Sequence, residues 1–221
     1  PLFVGFARQQ AKYRWLLWAA VGASSLMILW TASSTPILTL AAVAALLVAF
    51  PLRSYTGLAA WSIVGMTVVL HVVMKAPVWH LVARVGVVSG STGWHRYNLI
   101  NEAIRHFSEC MLLGTRNTGA WGWGLDDVTN QYILEGVRGG LITLVLFCMV
   151  LFVGARAVLR LSLQSRDRSE AFLGWSAFVS MIAHGVSFIG VSYFGQIDMI
   201  WYLLLAGIAV AYSQVYETLI K

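Results

Sequence analysis

The run GGLITLVLFCMVLFV, residues 139–153, carries no charged side chain, and the first charge downstream of it is Arg156. A helical residue advances 1.5 Å, so crossing the roughly 30 Å hydrocarbon core of a bilayer takes about 20 mostly apolar residues. Outward from this run, five further stretches have the same character: 15–31, 37–51, 58–74, 172–191 and 199–212. None alternates apolar with polar residues as the strands of a membrane barrel do. The expected fold class is therefore all-α, a polytopic membrane helix bundle of about six spans. Composition agrees. Of 221 residues, 59% are hydrophobic, 11% are charged and ten are Trp, and the mean hydropathy is +0.75. A soluble domain carries roughly 25% charged residues to face water. Less than half that fraction excludes a soluble enzyme, a disordered tail and a nucleic-acid-binding domain, and makes the lipid bilayer the first expected partner. The chain reads as a single integral membrane domain over 1–221. It opens on Pro1 with no signal-peptide pattern, which reads as the C-terminal part of a longer protein.

Lys and Arg in short loops set the orientation. Arg8, Lys12, Arg14, Arg53, Arg156, Arg160, Arg166, Arg168 and Lys221, nine of the fifteen cations, fall on one side of the six spans. That side is expected to be cytoplasmic and to hold both ends of the chain. The links on the other side, 32–36 and 192–198, contain no cation. The two cysteines, Cys110 and Cys148, fall in a polar connection and inside an apolar run, so no bridge between them is expected.

The remaining six cations lie in one long external loop, 75–138, together with three of the five His and five of the nine acidic residues. A connection of that length normally has structure of its own or a function. Leu99, Ile100, Ala103, Ile104, Phe107 and Met111 recur at helical spacing, which predicts an amphipathic helix over 96–111, and a shorter helix is expected over 78–87. Residues 114–124, GTRNTGAWGWG, hold four glycines; such backbone turns sharply and lets a ligand approach closely.

Chemistry concentrates just before the uncharged run. Asp126, Asp127 or Thr129 could cap a helix on which Asp127, Gln131, Glu135 and Arg138 form one polar stripe. Polar groups entering hydrocarbon usually face a cavity or each other, so the stripe reads either as one wall of a site or as an interfacial cap with a Glu135–Arg138 pair. Gly136 and Gly140 have the spacing of close helix packing. Arg96, Arg105, Arg116 and Arg138 share the loop. The planar guanidinium fork suits paired phosphate oxygens, as on a lipid headgroup or diphosphate. Trp94, Trp121 and Trp123 read as interfacial anchors. His184 is alone deep in the fifth span, where it serves a function or a neighbouring helix. No spacing of a zinc site, phosphate-binding loop or serine elbow occurs, and no metal or cofactor is expected.

Two segments together carry a resemblance: RYNLINEAIRHFSECMLLGTRNTG, residues 96–119, and TNQYILEGVRGGLITLVLFCMVLF, residues 129–152. Their order resembles the external loop and following helix of the bacterial O-antigen ligase and polymerase superfamily, with the likeness covering about residues 90–155. The resemblance implies a multi-pass protein of the bacterial inner membrane. Its implied activity is metal-independent, inverting glycan transfer from a polyprenyl-diphosphate carrier to a glycan or lipid acceptor at the external face. Arg96 matches the helix-leading Arg of the family, Asn130 and Tyr132 match the helix-start motif, and Glu135 matches its acid. Arg96, Arg116 and Arg138 would hold the diphosphate, with Asn130, Gln131 and Tyr132 beside it. Thr129 occupies the position of the family's His and cannot act as a base near neutral pH. The base would then be Asp127 or Asp126, or another His, or the chemistry would be absent, with Glu135 orienting Arg138. The competing reading is a protein that binds or exports lipid-linked glycans, or acts as a scaffold, without catalysis.

Overall fold

A computed structural model of the protein describes residues 1–31, 33–84, 93–115 and 117–220, the last six without their side chains. Every regular element among the described residues is helical. In chain order they are α1 (Leu2–Gln9), α2 (Arg14–Trp30), α3 (Ser34–Val48), α4 (Thr56–Val73), α5 (Leu81–Arg84), α6 (Gly93–Arg105), α7 (Phe107–Cys110), α8 (Gln131–Gln164), α9 (Arg168–Ser187) and α10 (Gln196–Ile220). Pro36 falls in the first turn of α3, where its missing N–H costs nothing. A 3-10 turn, Phe50–Tyr55, joins α3 to α4. The helix expected over 96–111 occurs as two pieces, α6 and α7, parted at His106. The helix expected over 78–87 occurs as a short turn plus α5, and residues 85–87 lie outside the described ones.

Among the described residues, three helical stretches are long and apolar enough to cross a membrane: Phe50–Val73, Gln131–Gln164 and Gln196–Gln214. Helices also cover the other three expected spans, but α2 and α3 are short at 17 and 15 residues. The 20-residue α9 is long enough, yet it carries Arg168, Glu170, His184 and four serines. Its polarity has a packing explanation. α9 is the hub of the bundle, contacting α1, α3 and α8, and it buries Phe172, Trp175, Val179 and Met181. Ser176 and Ser180 return their hydroxyls to the carbonyls of Phe172 and Ser176, both at 2.9 Å. Small residues bring the neighbours close. A Cβ on Gly174 would stand 2.9 Å from Ser162 N of α8, and one on Gly5 of α1 would stand 2.9 Å from Ser176. The eight-residue α1, which packs on α9, was not foreseen from sequence; its apolar face spans only two turns.

The uncharged run contains a break that the sequence did not announce. Gly140 has φ 73° and ψ −169°, so α8 is two helices: a polar segment, 131–139, and an apolar one, 141–164. Here the expectation for Gly136 and Gly140 is corrected: what approaches Gly140 is the backbone of residues 111–112, not a second helix. A Cβ on Gly140 would lie 2.5 Å from Leu112 O. Residues 111–115 bind into the break, with Leu141 N donating to Met111 O at 2.8 Å and Thr115 N to Val137 O at 2.5 Å. Helix-end groups otherwise left without partners are thereby satisfied. The second segment is about 36 Å long by itself, enough to cross hydrocarbon without carrying the polar stripe inside, with Arg156 and Arg160 near its far end reaching toward the interface.

The loop between α4 and α8 has its own core, in which Leu99, Cys110, Trp121, Leu125 and Val128 close on Leu134 and Val137 of the polar segment.

Candidate functional site

The polar segment of α8 is fixed at its start by bonds to the link after α9. Asn130, rather than Asp126, Asp127 or Thr129, caps it: its Oδ1 accepts from Ile133 N at 3.1 Å while its Nδ2 donates to Ile189 O at 2.9 Å. Gln131 N donates to Phe188 O, and Gln131 Oε1 accepts from Tyr193 N at 2.7 Å. Tyr132 donates its hydroxyl to Gly185 O at 2.8 Å and packs edge-on against Phe147 and Phe188. The three residues expected beside a substrate thus hold two parts of the chain together.

Arg96 projects from α6 into this junction. A Cβ on Gly190 would stand 3.5 Å from Arg96 Cζ and 2.8 Å from Thr35 Oγ1, so only glycine lets α3, the link after α9 and this guanidinium come so close. Arg96 is half-buried, and its Nε is buried without a hydrogen-bond partner. Burial pulls the guanidinium below its ordinary value. The hydroxyl of Thr129, next to the cap, is likewise buried and unpartnered. Buried polar groups are normally satisfied, and each exception asks for an explanation such as a ligand. Among the described residues, every ion pair lies between positions 102 and 109, and none includes Arg96 or Arg138.

The other expected residues are more dispersed. Arg116 lies outside the described residues. Arg138 is exposed at the far end of the polar segment, eight residues and about 12 Å along the axis from the Asn130 cap. Glu135 accepts from Gln131 Nε2 at 2.8 Å and forms no ion pair with Arg138. Asp126 and Asp127 are exposed. Arg105 pairs with Glu102 at 3.0 Å on the surface. Near Asp127 the structure adds a group that sequence reasoning passed over: the Nε2 of His95 lies 3.4 Å from Asp127 O. The adjacency of His95 to Arg96 was its one signal.

Around the same loop, Trp121 is buried, and its Nε1 donates to Glu109 Oε2 at 3.3 Å. Trp94 and Trp123 are exposed, as anchors at an interface would be. His106 stacks on Trp121 with centroids 5.2 Å apart and lies 2.7 Å from Glu109 Oε1. That hydrogen bond from His106 holds the Glu109 carboxyl below its ordinary range, assisted by the Trp121 indole and opposed by desolvation. Among the described residues, no group of three or more His, Cys, Asp or Glu side chains clusters as metal ligands would.

His184 also has its partner here: its Nδ1 lies 2.7 Å from the hydroxyl of Tyr193, inside a cage formed by Phe188 and Trp201. No family model matches the chain, and neither a curated protein nor a solved structure is detectably similar to it.

Proposed function

We propose that this protein is a multi-pass enzyme of the bacterial inner membrane. It transfers a glycan from a polyprenyl-diphosphate carrier to a glycan or lipid acceptor at the external face. All six long helices act as spans in this reading, with the polar groups of α9 screened by α1, α3 and α8, and with both chain ends cytoplasmic. The observation that carries it is Arg96, a partly desolvated cation with no carboxylate partner among the described residues, seated where only a glycine permits it. A half-buried charge with no counter-charge and a buried, unpartnered Nε is costly, and a diphosphate oxygen would supply both the charge and the missing acceptor.

In the reaction, the acceptor hydroxyl oxygen attacks the anomeric carbon. The bond from that carbon to the diphosphate breaks, and the leaving diphosphate retains the electron pair. Arg96 neutralises the developing charge, as cationic clamps do for transferred phosphoryl groups, while Arg138 assists from the periphery and Arg116 joins them as the resemblance implies. The acceptor proton passes to His95. A ring whose Nε2 donates to Asp127 O presents Nδ1 as the free acceptor, and His suits this work near neutral pH. Asp126 and Asp127 offset the resulting imidazolium charge. Glu135 acts through Gln131 to hold the link after α9 in place, rather than through Arg138.

The test is transfer in proteoliposomes from an undecaprenyl-diphosphate oligosaccharide. Arg96→Ala is expected to lower the rate by ten- to a hundredfold, the usual worth of a hydrogen bond to a charged group. Unchanged turnover in that variant rejects the reading. A second reading, lipid-linked glycan binding, export or scaffolding without catalysis, is favoured by the structural use of Asn130, Gln131 and Tyr132. It predicts donor binding lost in Arg96→Ala and no turnover in any variant.

A further inference from the structure

The opposite end of the bundle carries a second group of arginines, so far accounted for only as topology signals. Arg53 of the turn before α4, Arg166 of the α8–α9 link and Arg168 at the start of α9 line a cleft of about 430 Å³ together with Phe50, Pro51 and Ser165. Among the described residues, no carboxylate lines that cleft and none of the three arginines forms an ion pair. Arg53 is the most constrained of them. Its guanidinium lies 4.4 Å above the Phe50 ring, and its Nε is buried with no partner. The nearby acids are otherwise engaged: Asp167 Oδ2 accepts from Ser169 N and Glu170 N as the cap of α9, and Glu170 Oε2 accepts from Ser165 Oγ.

Ser165 and Arg166 also line the mouth of a much larger cavity of about 1280 Å³, beside Pro1 and the capping acids Asp167 and Glu170, so the two spaces share a wall. The large one runs between α1, α8, α9 and α10, and apart from its mouth its walls are almost wholly apolar, ending at His184. Between Glu170 and His184 it follows fourteen residues of α9, about 21 Å. One leaflet of hydrocarbon is about 15 Å deep, so a lipid chain fits along it. A cationic cleft opening directly onto an apolar groove of that length has the shape and polarity of an anionic phospholipid, and basic pockets between membrane helices are known hosts for such headgroups.

We infer that this end of the protein binds an anionic phospholipid. Its phosphate would sit among Arg53, Arg166 and Arg168 and one acyl chain would lie in the groove between α9 and α10. This lipid is distinct from any glycan carrier at Arg96, on the other side of the membrane.

The test uses the full chain, delipidated in a nonionic detergent. Binding is followed by the rise in melting temperature on titration with palmitoyl-oleoyl-phosphatidylglycerol, with the phosphatidylcholine of identical chains and glycerol phosphate as comparisons. Two variants separate the halves of the site. Arg53→Gln with Arg166→Gln removes headgroup charge. Gly207→Leu fills the groove at a position where an added Cβ meets nothing within 4 Å, so its own fold should be unaffected. Phosphatidylglycerol is expected to bind saturably, about 25-fold more weakly in the double variant, at roughly fivefold per arginine. In Gly207→Leu it should bind at least fivefold more weakly, with lipid-free melting unchanged. Glycerol phosphate binding as well as the lipid would make this a free-anion cleft and overturn the proposal. Equal binding of both phospholipids, or Gly207→Leu binding normally, overturns it too. Neither result bears on Arg96 or on glycan transfer.

Discussion

Replacing Gly140 with Ala tests whether the break in α8 is held by the loop that enters it. At φ 73° an L-residue is strained by about 1–3 kcal/mol. The added Cβ would also meet Leu112 O at 2.5 Å, closer than real Cβ atoms come to backbone. Relief requires residues 111–115 to withdraw, which removes the bonds from Leu141 N to Met111 O and from Thr115 N to Val137 O, each worth about 1 kcal/mol. The combined cost is about 3–5 kcal/mol, a fall in melting temperature of roughly 6–20 °C for a chain of this size. Withdrawal also uncovers Cys110, which is buried in the loop core. Its thiol is pushed up chiefly by that burial, and since the thiolate is the reactive form, native labelling should be slow. In a Cys148→Ala background, Gly140→Ala should lower the melting temperature and accelerate maleimide labelling of Cys110. Gly136→Ala is the matched control: its Cβ would meet Leu144 Cδ2 at an ordinary 3.6 Å, and helix propensity favours Ala by up to about 1 kcal/mol. If Gly140→Ala melts like the wild type and leaves Cys110 protected, the break is not maintained by residues 111–115.

Further outcomes follow from the same geometry. Asn130→Ala should destabilise the protein by about 1–3 kcal/mol in a denaturant or thermal series, through loss of a helix cap and of the bridge to Ile189. Arg138→Ala, which removes an exposed cation, should slow transfer less than fivefold, against the far larger loss for Arg96→Ala, when the two are assayed side by side. His95→Gln should preserve donor binding and suppress turnover, seen as carrier retained without product. The native carboxyl of Glu109 lies below its ordinary 4.5, so the contribution of His106 through it is present above that pH. It disappears as pH falls through the depressed native value. Thermal melts should therefore separate wild type from His106→Ala most at neutral pH, the gap narrowing in strong acid to the part owed to stacking on Trp121.

The long apolar helices were legible because a charge-free run admits few alternatives. The helical nature of 96–111 was legible because Leu99, Ala103 and Phe107 needed a common face, although the parting at His106 was not. The break at Gly140 was hidden because a glycine four residues after another looks the same whether a helix or a loop approaches it; the decision rests with backbone thirty residues upstream. In the candidate site, Arg96 stood out as a cation at a helix start, but Gly190, which admits it, has no side chain to announce itself. Asn130, Gln131 and Tyr132 have the chemistry of ligand contacts, and only the positions of Gly185, Ile189 and Tyr193 show that the chain uses them itself. The cations at 53, 166 and 168 gave orientation from sequence; their shared cleft depends on a turn and a helix link 113 residues apart meeting at one end of the bundle.

The short apolar lengths of several helices bear on the surrounding membrane. With 17 and 15 residues, α2 and α3 reach about 25 and 22 Å, and the charge-free part of α8 between the break and Arg156, residues 141–155, reaches about 22 Å. With all three embedded as spans, the lipids beside them must be compressed, or Arg156 and Arg160 must reach along their stems to the interface. Hydrophobic mismatch of this kind costs fractions of a kcal/mol per ångström. The protein would therefore sit in a thinned annulus and would favour regions where acyl chains are short or disordered.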